Sequence, residues 1–145
     1  MPDKNLLETI NNCIIKLNFE ISETRRNYGI LRGTPTKFQV RYDIIDQSNL
    51  IRVSFKYFRQ DPEGRNQLIS LIETRLPHLP SNRDFTGLTS ELGKGEIISF
   101  CISIPIESDS KKTGEATARL MKLFYDTFLP IANEMSLTNK AARKK

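Results

Sequence analysis

Between Phe38 and Arg59 apolar and polar residues alternate in two runs. Phe38, Val40, Tyr42 and Ile44 are separated by Gln39, Arg41 and Asp43, and Ile51, Val53, Phe55 and Tyr57 by Arg52, Ser54 and Lys56. Successive side chains of a strand point to opposite faces, so each run has one dry and one wet face. Asp46-Gln47-Ser48-Asn49 between them has turn chemistry. A turn centred on Gln47-Ser48 predicts the cross-strand pairs Ile44–Ile51, Tyr42–Val53, Val40–Phe55 and Phe38–Tyr57 on one face. It also sets Asp43 opposite Arg52 on the other face, an opposite-charge pair contributing roughly 0.2–1 kcal/mol. A one-residue slip would turn the apolar set into water, so the register is strongly specified. The pattern is that of an antiparallel hairpin whose dry face needs a cover.

Periodicity supplies the remaining elements. Asp3 can cap a first helix with Leu6, Ile10, Cys13, Ile14 and Leu17 on one stripe, widened by Leu7 and Ile15. Phe19–Arg32 reads as a single irregular strand, with Gly29 inside it and Gly33 and Pro35 after it. Asp61-Pro62-Glu63 starts a second helix, with Leu68, Ile69, Ile72 and Leu76 as its stripe, Leu71 beside it and Pro77 as its stop. Phe85–Leu92 reads as a strand, Gly93-Lys94-Gly95 as a tight turn, and Glu96–Ile106 as a strand alternating on Ile98, Phe100, Ile102, Ile104 and Ile106. Ser110 or Thr113 can cap a last helix whose stripe is Ala116, Leu120, Leu123, Phe124, Phe128 and Ile131, flanked by Met121 and Tyr125, with a kink expected at Pro130. The order helix, three strands, helix, two strands, helix predicts an α+β fold, a five-stranded antiparallel sheet covered by helices. A single domain is expected over residues 1–135, followed by a basic flexible tail over 136–145.

Composition adds constraints. The chain has 145 residues, 38% apolar and 27% charged, which is globular rather than disordered. Its longest apolar runs fall far short of the ~20 residues of a membrane span, and MPDKNLLETI has no apolar secretory core, so a cytoplasmic protein is expected. The net charge of +5 is unevenly spread: residues 136–145 hold Lys140, Arg143, Lys144 and Lys145 and no acid, which leaves +1 for the rest.

Candidate catalytic chemistry is sparse. Cys13 and Cys101 make no disulfide framework, and no Cys/His spacing suggests zinc. Cys13 falls within the first helix's apolar stripe and reads as a small core residue. His78, the only histidine, sits between Pro77 and Pro80 and reads as a loop residue. Ser108-Asp109-Ser110-Lys111 matches Ser-x-x-Lys without its supporting motifs, and Gly93/Gly95 lack the rest of a phosphate-binding loop. No catalytic residue, metal or cofactor is expected.

The element order over residues 3–135 resembles the secretion-chaperone-like fold, shared by type III secretion chaperones and the YbjN-type bacterial family. The stretch from Phe124-Tyr125-Asp126 through Leu129-Pro130 is similar to the YbjN-type ending. The resemblance implies a small dimeric cytoplasmic protein and brings no catalytic residues with it. The functional expectation is a non-enzymatic protein-binding module, chaperone-like or adaptor, working as a homodimer and receiving an extended segment of a partner protein. Ile45 and Phe58 break the alternation and fall on the hairpin's polar face, which makes them candidate protein-binding residues. The alternative is nucleic-acid binding through Arg25, Arg26, Arg32, Arg41, Arg52 and Lys56, together with the basic tail. The order also resembles a double-stranded-RNA-binding domain, but the second helix starts DPEGRNQL, without the lysine cluster such domains use for phosphates.

Overall fold

Residues Phe38–Ile45 and Leu50–Tyr57 form the hairpin in the expected register, with Ile44 opposite Ile51, Tyr42 opposite Val53, Val40 opposite Phe55 and Phe38 opposite Tyr57. A short 3-10 turn at Asp46–Ser48 joins the strands, and Asn49, at a φ of 54°, completes the reversal in the left-handed region that Asn tolerates. All eight inward residues are buried. A computed structural model describes residues 4–25, 27–35, 37–58, 62–75, 89–92 and 97–143. The expected caps at Asp3 and Asp61, Leu76, the Pro77 stop, His78, residues 81–88 and the Gly93–Gly95 turn lie outside the described residues.

The elements in chain order are α1 (Lys4–Lys16), β1 (Ile21–Arg25), β2 (Tyr28–Leu31), β3 (Phe38–Ile45), β4 (Leu50–Tyr57), α2 (Pro62–Arg75), β5 (Thr89–Leu92), β6 (Ile98–Pro105) and α3 (Ser110–Arg143). The fold is α+β, with one antiparallel sheet in the order β1-β2-β3-β4-β6-β5. The sheet has six strands rather than five, because the expected irregular strand over 19–32 folds back on itself. Arg25 pairs with Tyr28, Thr24 with Gly29 and Ile21 with Leu31, and a bulge lies between Ile21 and Glu23. Gly29, which reads in sequence as an interruption, is a close-approach site. It pairs with Tyr42, and a Cβ there would lie 2.6 Å from the Tyr42 ring.

The first helix ends in a Schellman motif. Asn18 takes a φ of 67°, its N–H donates to Ile15 O at 2.9 Å, and the Phe19 N–H donates to Ile14 O at 3.4 Å. Leu6, Ile10, Cys13 and Ile14 are buried as expected, whereas Ile15 faces out at 58% exposure. The last helix starts at Ser110, so neither expected cap holds its end. Asp109 is the cap, its carboxylate accepting the Lys111 N–H at 3.0 Å. The helix then runs as one element through Pro130 to Arg143.

Its buried stripe is rotated from the expected one. Thr113, Thr117, Ala118, Met121, Phe124, Phe128, Ile131, Ala132 and Met135 are buried, while Ala116, Leu120 and Leu123 are only partly so. The reason is the close crossing of α1. A Cβ on Gly114 would sit 3.0 Å from Thr9 Cγ2, 3.2 Å from Cys13 Sγ and 3.2 Å from the Thr9 carbonyl oxygen, so the small residues face the neighbouring helix. Helix α3 also packs on β3 and β4. There the Phe128 ring stacks on Phe55 at 4.6 Å, with Phe124 at 5.5 Å and Phe100 at 5.8 Å. Leu68 and Ile72 of α2 join the same core cluster, so the middle helix contributes to the core and packs against α3.

Two outcomes follow. Gly114→Val should lower stability by about 1–3 kcal/mol, because the Thr9 backbone stands in the way, and urea unfolding with an unchanged slope would show it. Tyr42 gives the second. Its hydroxyl donates to Asn11 Oδ1 at 2.5 Å. Burial, chiefly, and the nearby Asp43 charge hold the phenol above its ordinary value, with the Asn11 contact opposing. The folded state thus favours the neutral phenol. Stability from this group is fully present below the unfolded value of about 10 and is lost as pH rises beyond it. Tyr42→Phe should lack that alkaline loss, so the stability gap between wild type and variant should narrow between pH 9 and 11 in denaturant titrations.

Candidate functional site

The register that buries one face of the sheet also dictates what stands on the other. Read across the strands, the outer face is a set of rows. Gln39 pairs with Lys56 and Lys56 with Ser99. The next row is Ile30, Arg41, Ser54 and Cys101, and after it Tyr28, Asp43, Arg52 and Ser103. The last is Ile45, Leu50 and Pro105. These rows divide into a closed half and an open half. Ser99, Ile30, Ser54 and Cys101 are buried. Ser103 and Pro105 are exposed, and Tyr28, Asp43, Arg52, Ile45 and Leu50 are half-buried.

At the border between the two halves the charges are sorted unequally. Arg41 grips Asp43 with a fork, Nη2 at 2.7 Å from Oδ1 and Nε at 3.1 Å from Oδ2, and also donates to Gln39 at 3.3 Å. Its guanidinium carbon lies 4.0 Å from the centre of the Tyr28 ring. Arg41 and Asp43 sit two apart on β3, side chains on one face, which makes the fork possible. The expected Asp43–Arg52 ion pair is not formed, although the two residues face each other across the ladder: Asp43 is turned to Arg41, and a bidentate same-strand contact outcompetes a single cross-strand one. Arg52 has no hydrogen bond or ion pair among the described residues, and its Nε is buried without a partner.

The candidate residues separate accordingly. Ile45 lies in the open half, at the turn end. Phe58 lies at the other end of the same face, beyond Lys56, with its N–H on Lys37 O at 2.8 Å. Eight residues of strand separate it from Leu50, roughly 26 Å at 3.3 Å per residue, so the two do not form one patch. Ile45 instead gains Leu50 and Pro105. Leu50 could have been found in sequence, as the apolar residue directly across the turn from Ile45. Pro105 could not, because its row depends on β6 joining β4. Arg41, Arg52 and Lys56 share the outer face as expected. Arg32 is tied to Glu20 at 3.0 Å, away from them in sequence and exposed. For Arg25 the strand position alone is described, and Arg26 lies outside the described residues.

Cys13, expected in the core, is 9% exposed. It borders a shallow cleft of about 250 Å³ between α1 and α3, with Lys16, Leu17, Glu115, Ala118 and Arg119 as its other walls. The acidic Glu115 stands among the cations, so the cleft has no single charge preference. Among the described residues no three His, Cys, Asp or Glu side chains are grouped to hold a metal ion, and no described helix is long and apolar enough to cross a membrane.

This arrangement defines an α+β protein with a helix-covered inner sheet face and a partly open outer one. No family model and no curated protein matches the chain. Among solved structures it is similar to YbjN from E. coli, titled as a candidate transcription regulator, at 15% identity over 85% of this chain and 93% of that one, with a TM-score of 0.45. A likeness this distant carries no partner and no activity across.

Asp43→Asn tests the charge sorting. It leaves the Arg41 guanidinium, 15% exposed in its side chain, without its carboxylate. The loss should be about 1–2 kcal/mol in denaturant unfolding, between the values for surface and buried pairs.

Proposed function

We propose that this chain is a non-enzymatic protein-binding module, chaperone-like or adaptor, that works as a homodimer and receives a partner segment on the open half of its outer sheet face. One observation carries the reading: the apolar row Ile45, Leu50 and Pro105 stands at the turn end of the outer face, next to Arg52, whose Nε has no partner among the described residues. Apolar surface beside an unengaged directional donor is the chemistry of a protein interface, whose centre is apolar and rich in arginine. Phe58 is a separate, smaller contact in this reading.

Nucleic-acid binding is the second reading. Arg52 and Lys56 favour it, as cations on one face without a described partner. Against it, Arg41 is already neutralised by Asp43, and the pair left over is a small charge for a polyanion whose affinity depends on many phosphate contacts.

Three measurements on the full chain test the reading. Size-exclusion chromatography with light scattering should give the mass of a dimer, and a monomer at high concentration would remove the homodimer. Proteins retained from native lysate by the wild type should be lost with Leu50→Ser and kept with Lys122→Ala, a change on the exposed side of α3. Equal retention by both variants would remove the outer face as the docking surface. Salt-dependent retention on heparin that persists after deletion of residues 136–145 and disappears with Arg52→Gln would favour the second reading.

A further inference from the structure

Resting on the protein-binding reading, the geometry of the open rows also says what the partner segment is made of. Leu50 and Arg52 lie two residues apart on β4, so their side chains leave the same face about 7 Å from one another along the strand. An extended chain has the same two-residue repeat. We propose that the occupant is an extended peptide segment with an apolar residue two positions from an aspartate or glutamate, its apolar side chain on the Ile45–Leu50–Pro105 row and its carboxylate on the Arg52 guanidinium.

Charge decides the sign. Asp43 and Arg52 share a row in which Arg25 also holds a register position, and Arg41 stands in the row beside it. Arg41 and Asp43 cancel in their fork, which leaves the arginines of the open row in excess, while Lys56, further along the face, is matched in its own row by the register position of Glu91. An acidic segment is therefore attracted and a basic one repelled. Burial decides the strength. The Nε of Arg52 is buried without a hydrogen bond among the described residues, which leaves the terminal nitrogens of this half-buried side chain as the donors that a carboxylate meets in a charge-assisted bond. Asp43 does not supply it; its two oxygens accept from Arg41 instead. Shape decides the orientation. Ser103 and Pro105 are exposed beside Arg52 and Leu50, so the segment has room over β4 and β6, whereas the buried Ser54 and Cys101 close the next row and limit the contact to a few residues.

Four fluorescein-labelled probes of equal length measure this by anisotropy against the full chain: a peptide with Leu and Glu two positions apart, one with them adjacent, one with Gln for the Glu, and a mixed-sequence single-stranded DNA. The first should bind, with affinity falling about tenfold for the Gln peptide and for the adjacent-spacing peptide. Arg52→Gln should abolish the difference between the Glu and Gln peptides, and Lys56→Gln should leave it. The Glu-to-Gln change is made on the peptide, so a folding defect in a protein variant cannot mimic it. Equal binding of the Glu and Gln peptides, or no binding of any peptide at about millimolar protein, overturns the inference. If equal binding is still weakened by Leu50→Ser, the docking surface stands and only the acidic specificity falls. DNA binding that is lost with Arg52→Gln overturns both and assigns the face to nucleic acid.

Discussion

The register between β3 and β4 is the constraint on which the rest depends. Eight consecutive pairs, from Phe38–Tyr57 to Ile45–Leu50, are held in step. The side-chain repeat of a strand is two residues, so this single alignment determines both faces at once. A shift of one strand by one residue would place its apolar set in water and its polar set in the core: Val40 and Tyr42 out and Arg41 in for β3, or Val53 and Phe55 out and Arg52 in for β4. β6 copies the alignment, matching Ile98, Phe100 and Ile102 to the inner face of β4. The inner face becomes a continuous apolar surface that a helix must cover.

Helix α3 meets that demand through aromatic stacking and through small residues. Phe128 lies flat on Phe55, 6° from parallel, an arrangement contributing roughly 0.5–1.5 kcal/mol beyond the buried area itself. About three to four turns toward its N-terminus, Gly114, Thr117 and Ala118 present a low surface on which α1 can approach. The two demands lie on one side of the helix, which is why its larger leucines, Leu120 and Leu123, are left at the margin. Tyr42 then joins the layers, its ring against Gly29 and its hydroxyl on Asn11 of α1.

The outer face inherits its character from the same alignment. Arg41 and Asp43 neutralise each other because strand geometry puts them side by side, and Arg52 is left over because its only acidic neighbour across the ladder is taken. A face that a hydrophobic pattern would describe as simply solvated is thus divided into a satisfied cluster, an arginine whose Nε has no partner among the described residues, and an apolar row. That division gives the surface a direction and a sign, which a uniform polar face would lack.

Much of this was legible in the order of residues. The hairpin, its register, the α+β class and the α1 stripe all follow from short-range periodicity, because a strand or helix imposes its repeat on neighbours a few positions apart. Gly29 and the first hairpin were not legible, since a strand that turns back after Arg25 carries no alternation of its own and Gly29 has its reason in Tyr42, a residue of another strand. The rotation of the α3 stripe was hidden for a like cause: hydrophobicity ranks Leu120 above Gly114, and only the presence of α1 reverses the order. At the candidate site Ile45 was visible as a break in pattern, whereas its grouping with Pro105, its distance from Phe58 and the isolation of Arg52 were decided by which strands lie side by side and which charge reaches Asp43 first. Local repeats are a property of the chain, but competition between distant side chains for one partner exists only once the chain has folded.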